Sequence, residues 1–181
     1  GQTGPDGGLT EIVYNAAGDV VEKRYPDGAS EVFVYGDATA GNGVGRLVAV
    51  FDGAGYLEIF YDQRGRISEK RRSIGDRTYV TGFVYDSMDR IRRMIYPDGF
   101  EVHYSYDEGA NLLAVTDGDG KPLADEFSYN AGGRIIEMAH GNGFRSSFEY
   151  DAMDRMQRNV VSGVRGVSLV DQNYVFDSAN N

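Results

Sequence analysis

The sequence predicts an all-β protein in which tandem antiparallel β-hairpins form one curved, continuous sheet. An aromatic residue followed by Asp or Asn recurs, with one variant, eight times along the 181 residues, at a mean spacing of about 23. Glycine accounts for 25 residues, about twice its usual share, which indicates many tight turns. No stretch of about 11 residues keeps a 3.6-residue apolar period without a glycine or turn signal, so helix is not expected.

The first strand of each hairpin is predicted to end at the repeated aromatic residue, which we call the anchor. The residue two positions earlier is always large and apolar or aromatic, and positions two apart on a strand share a face. One face is therefore expected to be consistently apolar, and the position between the pair is mixed. The anchors are Tyr14, Tyr35, Tyr61, Tyr85, Tyr106, Tyr129, Tyr150 and Phe176. The middle residues are Val13, Val34, Phe60, Val84, Ser105, Ser128, Glu149 and Val175.

Two interpretations of the anchor tyrosines follow from this spacing. They recur once per repeat, so the structural interpretation is that they stack on one another as the apolar face of the sheet. The alternative is a ladder of rings that stack on sugars. The recurrence favours the structural interpretation.

A short turn follows each anchor and leads into a return strand. The Asp or Asn after the anchor can hydrogen-bond to backbone two residues on, and the Gly or Asp before the Arg tolerates a left-handed conformation. We interpret the Asp after the anchor and the Arg four residues later as residues that form the turn and pair with each other. Catalytic carboxylates are disfavoured because a catalytic constellation is normally single, whereas these pairs recur. The pairs are Asp62 with Arg66, Asp86 with Arg90, and Asp151 with Arg155, and Arg134 takes the same position after Asn130.

A second turn closes each repeat. Pro26-Asp27-Gly28 and Pro97-Asp98-Gly99 combine a preset φ with a turn-closing glycine. Pro5-Asp6-Gly7 stands at the same offset before Tyr14, and the last residues repeat the start of a turn after Phe176. We therefore expect residues 1–181 to form one array of about seven repeats, cut from a longer protein.

Composition excludes several classes of protein. The absence of Cys excludes disulfides, zinc fingers and thiol nucleophiles, and a net charge of −10 argues against binding of nucleic acid or anionic membranes. His103 and His140 lack partners at metal-ligand spacing. The segment 117–121 begins like a calcium loop but lacks the later ligands, so a hairpin turn is the better interpretation. No catalytic residue, cofactor or metal site is predicted, and the chain is not expected to be an enzyme.

One segment is unusually basic. Residues 64–93 hold nine of the 18 basic residues against four acidic ones. A docking patch for an acidic partner or cargo is one interpretation, and a solvated strand face is the commoner one. The candidate patch consists of Arg64, Arg66, Lys70, Arg71, Arg72, Arg90, Arg92 and Arg93.

The iterated pattern Tyr-Asp-x-x-Gly/Asp-Arg-Ile, followed about ten residues later by Pro-Asp-Gly, resembles the YD repeat of the RHS (rearrangement hot spot) proteins. The resemblance extends from Pro5 to Asn181. It implies a segment of a spiral β-shell around a hollow interior. In toxin members of the family, that shell encloses a C-terminal toxin segment that is kept unfolded or inactive. None of the four prolines follows an Asp, so the family's Asp-Pro-x-Gly-Leu cleavage region is not found in this sequence.

Three functional hypotheses follow. The first is a structural shell segment of a secreted bacterial toxin or surface protein, with the rest of the shell and an enclosed effector as partners. The second is an adhesion module that binds carbohydrate or a target-cell surface. The third, a hydrolase with an Asp dyad, has the weakest support. The resemblance implies export as part of a larger protein, and unpaired edge strands would permit self-association.

Overall fold

A computed structural model describes residues 2–3, 8–163 and 165–176 of the chain. Sixteen β-strands and one 3₁₀ turn occur in these described residues, and each sequential pair with a recorded register is antiparallel. The predicted all-β fold of antiparallel hairpins is confirmed, with one strand more than the roughly fifteen expected. The chain divides into two compact units, Gly1–Gly99 and Phe100–Asn181, which we call the N-terminal and the C-terminal unit.

The N-terminal unit is a meander in which each strand pairs with the next along the chain. The register pairs Val34 with Ala49, Glu58 with Arg71, and Arg71 with Val80. Its strands are β1 (Gln2–Thr3), β2 (Leu9–Tyr14), β3 (Val20–Arg24), β4 (Ser30–Tyr35), β5 (Leu47–Asp52), β6 (Gly55–Tyr61), β7 (Ile67–Ile74), β8 (Arg77–Tyr85) and β9 (Ile91–Ile95).

The C-terminal unit repeats the same meander. Glu137 pairs with Ser147, and Ser147 pairs with Val160, so the hairpin pattern of the first unit continues. Its strands are β10 (Glu101–Tyr106), β11 (Leu112–Asp117), β12 (Pro122–Tyr129), β13 (Ile135–His140), β14 (Arg145–Tyr150), β15 (Met156–Ser162) and β16 (Ser168–Asn173).

Every anchor that ends a strand lies at a β-bulge. The register shifts between Phe60 and Tyr61, and again between Val84 and Tyr85, so that each anchor tyrosine faces the first residue of its own return strand. The same shift occurs at Tyr14, Tyr35, Tyr106, Tyr129 and Tyr150. Because a bulge redirects a side chain and ends regular pairing, it orients the ring and starts the turn.

The predicted second turns form as hydrogen-bonded hairpin turns. The N–H of Gly28 donates to the Tyr25 carbonyl at 3.0 Å, and the N–H of Gly99 donates to the Tyr96 carbonyl at 2.9 Å. Gly28 has a φ of +86°, a conformation that glycine adopts without a steric penalty. The turn predicted at 5–7 and the turn residues after Phe176 lie outside the described residues.

The variant after Tyr35 contains a longer loop. The N–H of Gly36 donates to the Arg46 carbonyl at 2.9 Å, which is the bond that Asp62 makes to Arg66 in the next repeat. Residues 37–45, with the 3₁₀ turn Gly41–Gly43, therefore take the place of the three residues 63–65 of the standard turn. A Cβ on Gly36 would lie 2.2 Å from the Gly43 carbonyl oxygen, so the loop needs glycine there.

The two faces of each unit differ in exposure. On β4 the anchor side, with Phe33 and Tyr35, is half-buried, while Val32 and Val34 on the other side are exposed. We call the side with the anchors the anchor face and the other side the opposite face. Among the described residues, Ile59 and Val102 are the only large apolar side chains that are mostly buried, at 9% and 6% exposure. The described residues include no helix long and apolar enough to cross a membrane.

Candidate functional site

The repeated turn is the most constant local structure in the chain. In the turn after Tyr61, Oδ1 of Asp62 accepts the backbone N–H groups of Arg64 and Arg66 at 2.9 and 3.0 Å. Its Oδ2 accepts Nε of Arg66 at 2.7 Å. One carboxylate thus holds the turn backbone with one oxygen and the arginine with the other. Asp86 with Arg90 and Asp151 with Arg155 have the same geometry.

Other residues preserve only part of this arrangement. Asp107 holds Asn111 at 3.0 Å through the side-chain amide, in place of an arginine. Asn130 accepts the backbone N–H of Arg134 at 3.0 Å, and the Arg134 guanidinium pairs with Asp154 in the next turn. The backbone bonds are therefore constant, whereas the ion pair varies from repeat to repeat.

Five of the tyrosine anchors also bond to the preceding repeat. The hydroxyl of Tyr61 donates to the Leu47 carbonyl at 2.7 Å, and that of Tyr85 donates to the Ile67 carbonyl at 2.8 Å. In every case the acceptor is the first residue of the preceding return strand. The same bond joins Tyr35 to Val20, Tyr129 to Leu112, and Tyr150 to Ile135.

Four of the anchor rings also contact an arginine of the preceding repeat. The Arg66 guanidinium lies 4.5 Å from the centre of the Tyr85 ring, a cation–π distance. Arg155 lies at the same distance from the Phe176 ring. Arg46 over Tyr61 and Arg134 over Tyr150 are more distant, at 5.5 and 5.4 Å. The expectation that the anchors stack ring on ring is wrong at these four positions, because each of these rings meets an arginine of the preceding repeat. We call the hydroxyl bond and the arginine contact together the inter-repeat latch.

Two acidic residues with left-handed backbones add to the contacts between repeats. Asp89 and Asp154 have φ values of 65°, at the turn position where Gly65 has 75°. The Asp89 carboxylate lies 2.5 Å from Arg66 and 3.0 Å from Arg64, both in the preceding turn. Sequence reasoning treated this position only as a turn. The sequence signal for this contact is that Asp stands where other repeats have Gly. Asp tolerates the left-handed backbone conformation and also adds a negative charge.

The surroundings of the latch shift the ionisation of its groups. The hydrogen bond from Arg66 lowers the pKa of Asp62, and the bond from Arg155 lowers the pKa of Asp151. Burial raises the pKa of the Tyr61 and Tyr85 hydroxyls. At neutral pH the tyrosines are therefore hydrogen-bond donors and the aspartates are acceptors, as the observed contacts require.

The remaining candidates from the sequence have ordinary surroundings. Asp117 accepts the backbone N–H of Lys121 at 2.8 Å, so segment 117–121 is the hairpin turn that was predicted. Nε2 of His103 lies 3.0 Å from Glu101, and Nε2 of His140 lies 2.8 Å from the buried Ser146 hydroxyl. Within the described part of the chain, no group of three or more potential metal ligands comes together.

The candidate basic patch is divided between the two faces. Arg72 shares the anchor face with Leu57, whereas Arg71 lies on the opposite face beside Glu58. Most of the eight residues have a partner: Arg72 pairs with Asp52 at 2.8 Å, Arg71 pairs with Glu69, and Lys70 lies 5.9 Å from the Phe83 ring. Arg64 and Arg66 share Asp89, Arg90 pairs with Asp86, and Arg92 is exposed. A role for these residues in partner binding stays a prediction.

These features define a repeat scaffold, in which one hairpin and one latch recur along the chain. Residues 56–178 match the family model described as Teneurin YD-shell. This match covers more than half of the chain, so the protein belongs to the teneurin YD-shell family, and its repeats are the YD repeats of RHS proteins.

Solved structures share the fold. The chain aligns with the TcdB2-TccC3 crystal structure with a TM-score of 0.69 and 16% identity, over 96% of this chain and 10% of that one. A Photorhabdus luminescens Tc holotoxin pore structure aligns with a TM-score of 0.68 and 14% identity, over 95% of this chain and 11% of that one. The sequence is also 29% identical over 119 residues to double-stranded DNA deaminase toxin A of Burkholderia cenocepacia strain H111. That match covers 64% of this chain and 8% of the toxin, so the chain spans about a tenth or less of each relative.

Proposed function

We propose that this chain is a wall segment of a shell that encloses an effector domain within a larger exported bacterial protein. The inter-repeat latch carries this proposal. A wall needs each hairpin to be held to the next, and the tyrosine hydroxyl bond does this at Tyr35, Tyr61, Tyr85, Tyr129 and Tyr150. A contact that recurs in this way suits a scaffold, whereas catalysis normally uses one constellation.

The anchor tyrosines are poorly placed to bind sugars. A guanidinium lies over the rings of Tyr61, Tyr85 and Tyr150, and their hydroxyls bond to backbone carbonyls. A stacked sugar would have to replace the arginine. The carbohydrate-binding alternative therefore loses the tyrosine ladder that motivated it.

Protease protection in the natural open reading frame that contains these residues tests the proposal. Further YD repeats are expected on either side, followed by a C-terminal region unrelated to them. In the native protein, that region should resist proteinase K at concentrations that digest it once it is released by denaturant. The double variant Tyr61→Ala/Tyr85→Ala should make it accessible by loosening the wall. The matched variant Tyr61→Phe/Tyr85→Phe, which keeps the rings, should protect it better than the alanine pair.

Two results would overturn enclosure. One is a C-terminal region digested equally fast in the native protein and in the alanine variant. The other is an open reading frame in which the repeats end without any further domain.

A further inference from the structure

The tripeptide Gly-Asn-Gly occurs twice in the chain, once in each unit. Asparagine followed by glycine cyclises readily, because glycine has no side chain to hinder the approach of its backbone nitrogen to the asparagine side chain. Residues 41–43 form the 3₁₀ turn of the long loop, and residues 141–143 form the turn between β13 and β14. The same reactive sequence is therefore held in two different structures.

The turn at 141–143 is open to solvent. Asn142 and Gly143 are both exposed. The N–H of Gly143 donates to the His140 carbonyl at 2.8 Å, and the N–H of His140 donates to the Phe144 carbonyl at 2.7 Å. With a φ of +86° at Gly143, this is a three-residue hairpin loop that ends in a left-handed glycine. Water therefore reaches both residues of the Asn-Gly pair.

The side chain of Asn142 is turned towards the backbone that follows it. Its Oδ1 accepts the backbone N–H of Phe144 at 3.2 Å. This bond directs the side-chain carbonyl along the turn, and the donor draws electron density away from Cγ. The carbon that the Gly143 nitrogen would attack is thus made more electrophilic by the turn itself.

The copy at 41–43 is closed. Nδ2 of Asn42 donates to the Tyr61 carbonyl at 3.2 Å, on another strand. Gly43 is buried, and a Cβ placed there would lie 2.8 Å from Cγ1 of Val48. The amide that would leave is therefore tied to β6, and the nitrogen that would attack is covered. Ring closure at Asn42 requires the loop to open first.

We propose that Asn142-Gly143 is a self-modification site, at which the folded chain deamidates, and that Asn42-Gly43 is protected by its loop. The Gly143 nitrogen loses its proton to hydroxide and bonds to Cγ of Asn142. The Cγ–Nδ2 bond breaks, and that nitrogen takes up a proton and leaves as ammonia. Water then opens the five-membered imide on either side of the ring nitrogen, which gives aspartate or isoaspartate. One water is consumed, one ammonia is released, and nothing is oxidised or reduced.

The two products differ in how they fit the turn. Asp27 holds the corresponding position of an earlier turn, where its Oδ1 accepts the N–H of Ala29 at 3.0 Å. An aspartate at position 142 therefore keeps the turn and adds a negative charge beside Lys121, which lines the same groove. Isoaspartate lengthens the main chain of the loop by one carbon, so the hydrogen bonds of the turn no longer match. The charge and shape of this turn thus change with the age of the folded chain.

Peptide mapping of the aged 181-residue chain tests the proposal. The chain is incubated at about 37 °C and about pH 8 and then digested with trypsin. Peptide 135–145 reports on Asn142, and peptide 25–46 reports on Asn42. Deamidation makes a peptide heavier by about 1 Da, which mass spectrometry detects. A sample digested before incubation sets the background.

The deamidated fraction of peptide 135–145 should grow at least tenfold faster than that of peptide 25–46. In a chain kept unfolded by urea, the two peptides should convert within about twofold of each other, because the tripeptide is the same in both. The urea sample therefore separates the contribution of the fold from that of the sequence.

Matched variants assign the product to one residue. Asn142→Gln should abolish conversion of peptide 135–145, because glutamine has to form a six-membered ring, whereas Asn42→Gln should leave that conversion unchanged. An isoaspartate methyltransferase with a labelled methyl donor should label the aged natural chain and the Asn42→Gln variant but not Asn142→Gln. Asn142→Asp covers a glutamine variant that fails to fold. It should show no mass change and should gain the methyl label more slowly, because a carboxylate is a poorer electrophile than an amide.

Two results would overturn the proposal. One is equal conversion of the two peptides in the folded chain. The other is a folded chain in which peptide 135–145 stays unmodified over the time that the urea-unfolded chain needs to convert, which would mean that the turn protects Asn142. Neither result bears on protease protection of an enclosed domain, so the two proposals fail separately.

Discussion

The two units of the chain repeat the same hairpin and latch but differ on the face opposite the anchors. At the middle position of the repeat, polar residues occur only in the C-terminal unit. The N-terminal unit has Val13, Val34, Phe60 and Val84, and the C-terminal unit has Ser105, Ser128, Glu149 and Val175. The anchor side is similar in both: Tyr85 and Tyr129 each donate a hydroxyl to the preceding return strand at 2.8 Å. The fold therefore depends on the anchor and its turn, while the middle residue is free to vary with the surface that each unit presents.

Individual repeats differ in how completely the latch is made, and each unit contains anchors with the arginine contact. Over Tyr85 lies the Arg66 guanidinium, but Asn111 occupies the equivalent turn position before Tyr129. Both anchors keep the hydroxyl bond. The comparison thus separates the contribution of the hydroxyl from that of the arginine.

Removal of an anchor ring is expected to have the largest effect. Tyr85→Ala deletes a half-buried ring, its hydroxyl bond and its cation–π contact, and should lower the free energy of unfolding by about 3 kcal/mol. Tyr129→Ala should cost about 0.5–1 kcal/mol less, because no arginine occupies its turn position. Urea unfolding followed by circular dichroism measures both.

The phenylalanine variants at the same positions serve as the control. Tyr85→Phe and Tyr129→Phe remove only the hydroxyl and should each cost about 1 kcal/mol. Equal losses for the two alanine variants would show that the arginine contact adds nothing to the latch.

Replacement of a strained turn residue should give a smaller gain. Ala110 has a φ of 69°, at the position where Gly65 has 75°. An L-residue in this conformation costs roughly 1 kcal/mol relative to glycine, so Ala110→Gly should raise stability by about that amount. For a chain of this size the melting temperature should rise by about 2–4 °C.

The reciprocal variant in the N-terminal unit should have the opposite sign. A Cβ on Gly65 would lie 2.3 Å from an Nη atom of Arg46, so Gly65→Ala adds a clash to the backbone strain. A loss of stability on Ala110→Gly would show that the two turns are not equivalent despite their matching backbones.

The sequence predicted what is local and missed what depends on neighbouring repeats. Strands, turns and the Asp62–Arg66 pair all lie within a few residues, where the alternation of side chains and turn chemistry are decisive. The contact of Arg66 with Tyr85 spans 19 residues and depends on the register between hairpins and on the bulge before the anchor. Alternation along one strand carries no information about that register, which is why the rings were wrongly expected to stack on one another.

The loop after Tyr35 shows a second limit of the sequence pattern. Asp37 stands one residue later than the Asp or Asn of the other repeats. Gly36 makes the backbone bonds of the turn, and Asp37 accepts the N–H of Thr39 at 2.8 Å. Gly36 is required by the approach of the Gly43 carbonyl, a contact that exists only after the loop has folded. The sequence shows that the residue before each anchor can be apolar or polar. The structure adds that the polar residues at this position all lie in the C-terminal unit.

The smallest expected effect concerns pH and a single ion pair of the N-terminal unit. The hydrogen bond from Arg72 lowers the pKa of Asp52 to about 2, and the N–H groups of Ala54 and Gly55 add to the shift. A carboxylate with a depressed pKa in the folded state stabilises that state above its unfolded value of 3.8, and this stabilisation is lost as the pH falls towards 2. Asp52→Asn should therefore be less stable than the natural chain at pH 5, and the difference should vanish near pH 2. The effect should be modest because both side chains are partly exposed to solvent.

Urea unfolding at a series of pH values measures the difference in stability. The variant Arg72→Gln and the double variant complete a double-mutant cycle. If the aspartate substitution has the same cost at pH 5 with and without Arg72, the turn N–H groups rather than the arginine hold the carboxylate, and this hairpin then resembles the arginine-free turn at Asp107 in the C-terminal unit.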